Sequence, residues 1–530
     1  MQIIMEFKSE LEVEVDGVVQ DLKRANIQNG LVAILAATLY LYFIVRRRAK
    51  SNKILDSKQT KRTIPGPGQH FLGALANVFA LRDTSKTLEV MDYWCRKYGP
   101  VYRVNFGPYN VTVLNSPKYI QKLMGSKDTN YLRKGFIYKP FKPYWNDGLI
   151  MSKGEKWKSR RRVLEKHMFS FKSVFNYMKI FNAEADALVV GIGEIFGNGK
   201  ENGIEHLLMR TSFQTITNAA FGESSAEVDS LTDQELSFID VVNRTKEVAT
   251  ERIMKPWFLI DSIWNLHPMS KLGNLLEKVG KKYAHTTLLN NGSGKSTNKH
   301  GQGIKQDLLD AGVSLEGITE EVITLISAGY ETTATSLHFL LFFLALNPHH
   351  QEICREEVDA VFEDIDLCPS GSIQFRALSK LKHLEMCVYE TLRLLPTVFL
   401  IMRNIEAPLQ LEDDLEIPAG SEIAIYAPGL HKNPKYFPDP DKFIPERFTP
   451  EQCKTRHPYA YIPFAAGPRK CIGYKFAMME MLSLTAKLLR NYEWETTDRL
   501  EDVVLLPHVT ITPGKPMKFL FKKRQSMNIF

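Results

Sequence analysis

The run Phe464-Ala465-Ala466-Gly467-Pro468-Arg469-Lys470-Cys471-Ile472-Gly473 gathers the residue types that an iron thiolate needs. A cysteine that binds iron must ride on a tight turn, and Gly467 and Gly473 permit one. Its negative charge must be partly offset by N–H groups, as in a loop entering a helix N-terminus. An apolar helical run, Phe476 to Leu489, follows here. Arg469 adds a cation, placed for the acidic edge of a macrocycle. A buried structural cysteine in a turn would account for Cys471 alone, and not for the whole constellation.

A second group lies in an apolar stretch from about Ile318 to Leu346, free of proline and stopped by Asn347-Pro348. As a helix it would measure roughly 43 Å. Inside it stands Ala328-Gly329-Tyr330-Glu331-Thr332-Thr333. An acid beside a threonine in an apolar helix is costly unless it is used. Gly329 removes a side chain where a flat ligand would approach the backbone. The Thr332 hydroxyl, bonding back to a preceding carbonyl, would open a groove for O₂ and water. A polar patch in a core helix is the alternative. Glu390 and Arg393 share one helix face at i, i+3, with Leu394-Leu395-Pro396 after them and Pro445-Glu446-Arg447-Phe448 further on. Trp157 and Arg161 stand four apart on another predicted helix.

The elements that must position these residues read as mainly helical with minor sheet. Val101–Phe106 and Val111–Leu114 look like short strands around Gly107-Pro108. A β-rich patch runs from Leu409 to Ile425, and a last hairpin from Val503 to Phe521. The 530 residues are 44% hydrophobic and 24% charged, enough for a large core. A formal charge of +8 without basic tracts interleaved with aromatics excludes a nucleic-acid partner and points to anionic lipid or acidic protein. Six cysteines (95, 354, 368, 387, 453 and 471) form no CxxC pair and read as reduced, cytosol-facing thiols, five of them packing residues. The spacing predicts a lumenal segment at 1–24, a transmembrane signal-anchor at 25–45, a basic linker at 46–63 and a catalytic domain at 64–530. The uncharged run Ala25–Val45 is followed at once by Arg46, Arg47, Arg48 and Lys50. The run Ile64-Pro65-Gly66-Pro67-Gly68 reads as a stiff elbow between anchor and domain. Asn291-Gly292-Ser293-Gly294-Lys295-Ser296 lacks the first glycine and the strand of a phosphate loop and reads as surface loop. His349-His350 reads as a solvated pair, and the sequons at Asn110, Asn243 and Asn291 as unglycosylated.

At Phe464, Gly467, Arg469, Cys471 and Gly473 the loop resembles the haem-binding loop of the cytochrome P450 family. The other motifs follow in that family's order, from about Ile64 to the C-terminus. The resemblance implies a mainly α fold with minor β, and haem b ligated through iron by the Cys471 thiolate. It implies that Thr332 and Glu331 position oxygen and feed protons, and that Arg447 joins Glu390 and Arg393 in a buried structural network. Trp157, Arg161 and Arg403 would reach the haem propionates, with His431 a weaker candidate at the same edge. The implied activity is a monooxygenase inserting one atom of O₂ into a lipophilic small molecule: a fatty acid, terpenoid, steroid, hormone or xenobiotic. Electrons would come from NADPH–cytochrome P450 reductase, with cytochrome b5 as a further donor. These would dock on a basic face of Arg160, Arg162, Lys166, Lys470 and Lys475. The implied place is the endoplasmic reticulum membrane, single-pass, among membrane lipid, with the catalytic domain in the cytosol. Two other readings stay open: a haem-thiolate isomerase or dehydratase of peroxides, and a non-catalytic haem-binding protein. Asn146–Ile150 ahead of Gly154–Trp157, and Glu321-Val322, are most similar to the animal group that includes fatty-acid ω-hydroxylases and insect enzymes. Many of those hydroxylases carry a haem-esterifying glutamate where this chain has Ala328, so no ester link is expected. Thr397-Val398-Phe399 also replaces the commoner proline-rich turn.

Overall fold

One helix that is apolar on every side sets the architecture, because such a helix must be buried all round. In the computed structural model, which describes residues 62–68, 71–221, 238–290 and 304–524, that helix runs unbroken over 32 residues, Leu315–Leu346. The Ser314 hydroxyl caps it by accepting the Gly317 N–H at 3.2 Å, and Asn347-Pro348 ends it. The longer helices, in chain order, are α1 Phe71–Arg82, α2 Thr84–Tyr98, α3 Pro117–Met124, α4 Gly154–His167, α5 Met178–Phe196, α6 Glu205–Phe221, α7 Phe238–Met254, α8 Met269–Asn290, α9 Leu315–Leu346, α10 Pro348–Glu363, α11 Lys382–Leu394 and α12 Tyr474–Asn491. Helices α6, α8, α10, α11 and α12 all pack on α9. The segments expected at 1–24 and 25–45, and the Asn291–Ser296 run, lie outside the described residues. Among the described residues no helix is long and apolar enough to cross a membrane.

A small sheet lies beside the helical core. Its strands are β1 Val101–Phe106, β2 Tyr109–Leu114, β3 Leu400–Asn404 and, after the β4 Leu409–Glu412 and β5 Leu415–Ile417 hairpin, β6 Glu422–Tyr426. The order is β1-β2-β6-β3, with β2 and β6 parallel and the other pairs antiparallel. Val101 pairs with Leu114 and Phe106 with Tyr109, around a Gly107 at φ 55°. The proline segment is packed on this sheet: the Arg103 N–H donates to the Pro65 carbonyl at 2.8 Å, and Ile64 is buried. A Cβ on Gly66 would come 1.8 Å from the Arg103 oxygen, so glycine is required there. The expected terminal hairpin is split. β8 Leu505–Pro507 pairs with β9 Ile511–Pro513, whereas β10 Leu520–Lys523 leaves to pair with β7 Tyr492–Glu495.

One buried carboxylate ties α11 to the chain that leads to the cysteine loop. Glu390 takes Arg393 in a fork, 2.7 Å to Nε and 2.8 Å to Nη2, and both side chains are fully buried. Its Oε1 also accepts the Ile444 N–H at 2.8 Å and Arg447 Nε at 3.3 Å. The remaining guanidinium donors are used on carbonyls: Arg393 on Pro440 at 2.6 Å and Lys442 at 3.0 Å, and Arg447 on Asp439 at 2.7 Å. A buried ionic network of this kind holds only when each member is satisfied. Replacing Glu390→Gln would leave two buried guanidiniums without their anion, and a destabilisation of about 3–5 kcal/mol is expected. Chemical unfolding of the haem-loaded protein measures it; a change near zero would show that the network carries little of the fold.

Candidate active site

The loop before α12 is shaped by two left-handed residues, Ala465 at φ 57° and Gly467 at φ 70°. A Cβ on Gly467 would lie 1.6 Å from the Met124 carbonyl oxygen at the end of α3, so no other residue fits. The Phe464 carbonyl accepts the Cys471 N–H at 2.8 Å, and the half-buried Phe464 ring lies 6.2 Å from Tyr474. Gly473 differs from expectation: its φ of −89° is open to any residue. What limits it is the Phe169 ring, 3.3 Å from where its Cβ would stand. Cys471 is exposed at the loop tip, while Cys95, Cys354, Cys368 and Cys387 are buried. Cys453 is also exposed, so four cysteines rather than five are packing residues. Protein crowding on the remaining sides pushes the Cys471 thiol up, against the pull of the Gly473 N–H and the Arg161 charge.

On α9 every residue from Glu321 to Ala345 is buried except Ala328, Gly329 and Thr332. These lie within about one turn, so they open a single window in an otherwise enclosed helix. The Thr332 hydroxyl donates to the Ala328 carbonyl at 2.8 Å. Gly329 has a different cause from the one expected. A Cβ there would come 2.6 Å from Ile216 Cγ1, so the glycine admits α6. Glu331 is buried, and its carboxylate is bound by Lys246 of α7 at 2.6 Å and by the Thr510 hydroxyl.

A cluster of cations surrounds Trp157 on α4. Arg469 stacks its guanidinium over the Trp157 ring at 4.3 Å and donates to the carbonyls of Leu149 at 3.2 Å and Ser152 at 2.5 Å. Arg161 donates to the Lys470 carbonyl at 3.1 Å and pairs with Glu165 at 2.8 Å, fastening α4 to the cysteine loop. Arg403, buried on β3, is bridged in the backbone to Lys134. A Cβ on Gly135 would come 2.7 Å from Met402 Cβ, which explains the glycine beside that bridge. Burial, and then the charges of Arg403 and Arg161, lower Arg469 to about 9; burial with Arg403 and Arg469 drives Lys134 well below the usual lysine range. Among the described residues none of Lys134, Arg403 and Arg469 has a carboxylate within 4.0 Å. Such a set could hold the two carboxylates of a flat dianion beside the thiol. His431 does not join it. Its Nε2 accepts the Ile462 N–H at 2.9 Å, its carbonyl accepts Arg393, and burial pushes its ring down to about 3. Arg160 is likewise withdrawn from the expected docking face: it is buried against the Gly317 carbonyl at 2.9 Å and Glu321 at 3.5 Å.

The chain matches the Cytochrome P450 family over residues 65–521. It belongs to that family. Human Cytochrome P450 4V2 is 29% identical over 451 residues, 81% of this chain and 83% of that protein. Among Drosophila melanogaster relatives, Cytochrome P450 4c3 is 27% identical over 515 residues (91% and 92%) and Cytochrome P450 4d2 is 30% identical over 489 (87% and 93%). As a cytochrome P450, the chain is a haem-thiolate monooxygenase, and its cofactor is thiolate-ligated haem b. The residues present fit that group: a presented thiol, a carboxylate-free cation cluster, and a helix window with no bulky side chain. Lys134, Lys246 and Thr510 were not found by sequence reasoning, because each reaches its place only through packing of distant segments. Arg160 had a readable signal, since Trp157, Arg160 and Leu164 repeat at the spacing of one buried helix face. Exchange of the candidate ligand, Cys471→Ser, should abolish the long-wavelength Soret band of the reduced CO complex while the chain still folds. Survival of that band would place the iron ligand elsewhere.

Proposed function

We propose that Cys471 ligates the haem iron of this cytochrome P450, with Arg469, Arg403 and Lys134 on the propionates and Trp157 and Arg161 bracing them. The observation that carries this reading is the cluster of the buried Arg403 with the half-buried Lys134 and Arg469, which has no carboxylate within 4.0 Å among the described residues and is joined to the Cys471 loop through Arg469. Bound there, haem supplies O₂ binding and reductive O–O cleavage, assisted by electron donation from the thiolate. Thr332, in the window of α9, is the group that hands on a proton. Its hydroxyl is anchored on the Ala328 carbonyl at 2.8 Å, which leaves its lone pairs free to accept from water. Glu331, one residue earlier, is turned about 100° around the helix from Thr332. Its carboxylate is held by Lys246 and Thr510, so it must exchange those partners before it can relay a proton to the groove.

A lipophilic substrate is supported by membership of the family. Ala328 leaves no carboxylate in the window, so haem is held without an ester link. Residues 25–45 anchor the chain in the endoplasmic reticulum membrane, ahead of a cytosolic catalytic domain that starts near Ile64. Electrons come from NADPH–cytochrome P450 reductase, with cytochrome b5 as a further donor. They dock on Arg162, Lys166, Lys470 and Lys475, all exposed and joined across the Arg161–Lys470 contact.

Thr332→Ala should keep haem content and substrate binding but divert reducing equivalents to hydrogen peroxide, lowering product formation by about 10²–10⁴-fold. Unchanged coupling of NADPH use to product would remove Thr332 from the proton path. The double reversal Arg162→Glu with Lys470→Glu should slow first-electron transfer from the reductase, leave substrate-induced spectra unchanged, and blunt the salt dependence of the wild-type rate. A rate insensitive to both charge and salt would move the docking surface elsewhere.

A further inference from the structure

A second set of ligating side chains lies where α10, α11 and the turn Pro445–Phe448 meet, and the haem site uses none of it. Cys354 and Cys387 are fully buried with their Sγ atoms 3.7 Å apart. One ligand atom from each of Cys354, Cys387 and His383 lies within 4.8 Å of the others. The sequence reading of His349-His350 as a solvated pair holds for His349 only. His350 is half-buried, and its Nδ1 lies 3.1 Å from His383 Nε2.

We propose that Cys354, Cys387 and His383 bind a zinc ion that clamps α10 to α11. The sulfur separation fits this use. Two thiolates on one tetrahedral zinc, at Zn–S about 2.3 Å, stand about 3.8 Å apart. A disulfide needs about 2.05 Å, so the pair is unbonded. Charge also fits: Zn²⁺ with two thiolates and a neutral imidazole has no net charge, the arrangement least penalised by burial. Cu(I) in the same ligands would leave a buried negative charge. On binding, the two S–H protons pass to solvent and nothing is oxidised or reduced.

The surroundings supply what a metal-bound histidine requires. His350 stacks on His383 with ring centroids 5.2 Å apart, and its Nδ1 stands 3.1 Å from His383 Nε2, placed to accept that N–H and leave His383 Nδ1 for the metal. Such outer partners fix the orientation of a ligating imidazole. The Glu357 carboxylate accepts the His383 and Leu384 N–H groups, at 2.8 Å and 3.2 Å, and so fixes the start of α11. His350 keeps 15% of its side-chain surface in solvent, so the buried ligands lie one side chain from the surface. The clamp would sit next to the Glu390–Arg393–Arg447 network, since α11 carries Glu390 and Arg393 and the turn carries Arg447 beside Glu446. Zinc there would be structural, acting on stability and not on the oxygen chemistry.

The test uses the full-length, haem-loaded protein, stripped with a chelator under reducing conditions and given equimolar zinc chloride. Metal content and X-ray absorption at the zinc edge are read, a signal that haem iron does not obscure. One zinc per chain with two sulfur scatterers and a raised Tm are expected. Cys354→Ser with Cys387→Ser should lose that zinc, and His350→Ala should weaken it about 10–100-fold. The CO spectrum should be unaltered in each variant, which separates this site from the Cys471 assignment. Zinc retained equally by the double variant, a shell of nitrogen and oxygen only, or binding of Cu(I) but not zinc would overturn the proposal. A native Cys354–Cys387 disulfide found by mass spectrometry would overturn it too. The wild-type absorption spectrum decides the ligand set by itself, so the proposal remains testable where a variant fails to fold.

Discussion

Three clustered cations, Arg403 buried and Lys134 and Arg469 half-buried, with no carboxylate within 4.0 Å among the described residues, form the constraint around which the catalytic half of this cytochrome P450 is organised. Lys134, Arg403 and Arg469 come from an irregular segment, a sheet strand and the cysteine loop, and each is pushed toward neutrality chiefly by burial. Charges so placed oppose one another, and packing alone gives no reason to gather them. In the haem site we propose, the two propionates would supply the missing counter-charge. The cofactor is thereby part of the fold's electrostatic balance as well as the seat of its chemistry.

The rest of the architecture keeps that cluster and the thiol in register. α9 is long and buried because its sequence is apolar on every face, and its one window is formed by Ala328, Gly329 and Thr332. The Glu390 network fixes the segment from His431 to Arg447 ahead of the Cys471 loop. Gly467 lets that loop pass against the Met124 carbonyl, where any side chain would collide. Arg161 then joins the loop to α4 through the Lys470 carbonyl.

The parts legible in the sequence were those in which chemistry dictates residue type at short spacing. The loop from Phe464 to Gly473, the Glu331-Thr332 pair and the Glu390–Arg393 pair each lie on one element. The Val101–Leu114 hairpin was readable for the same reason. What escaped depends on which distant segments meet. Gly329 was read as room for a ligand, yet Ile216 of α6 fills its open side. Lys134 reaches the cluster only through its bridge to Arg403, and Lys246 and Thr510 reach Glu331 from opposite ends of the chain. The split of the terminal hairpin has a similar origin, because β10 finds a partner in β7 that local pattern cannot name.

The claim that the cation cluster exists for two carboxylates can be tested by changing those carboxylates alone. Haem-free protein would be loaded in parallel with iron protoporphyrin IX and with its dimethyl ester, and the affinity of each measured by Soret titration. The account predicts that the ester binds far more weakly to the wild type and that Lys134→Met with Arg403→Met narrows the difference. Equal affinity for the two porphyrins in the wild type would contradict it.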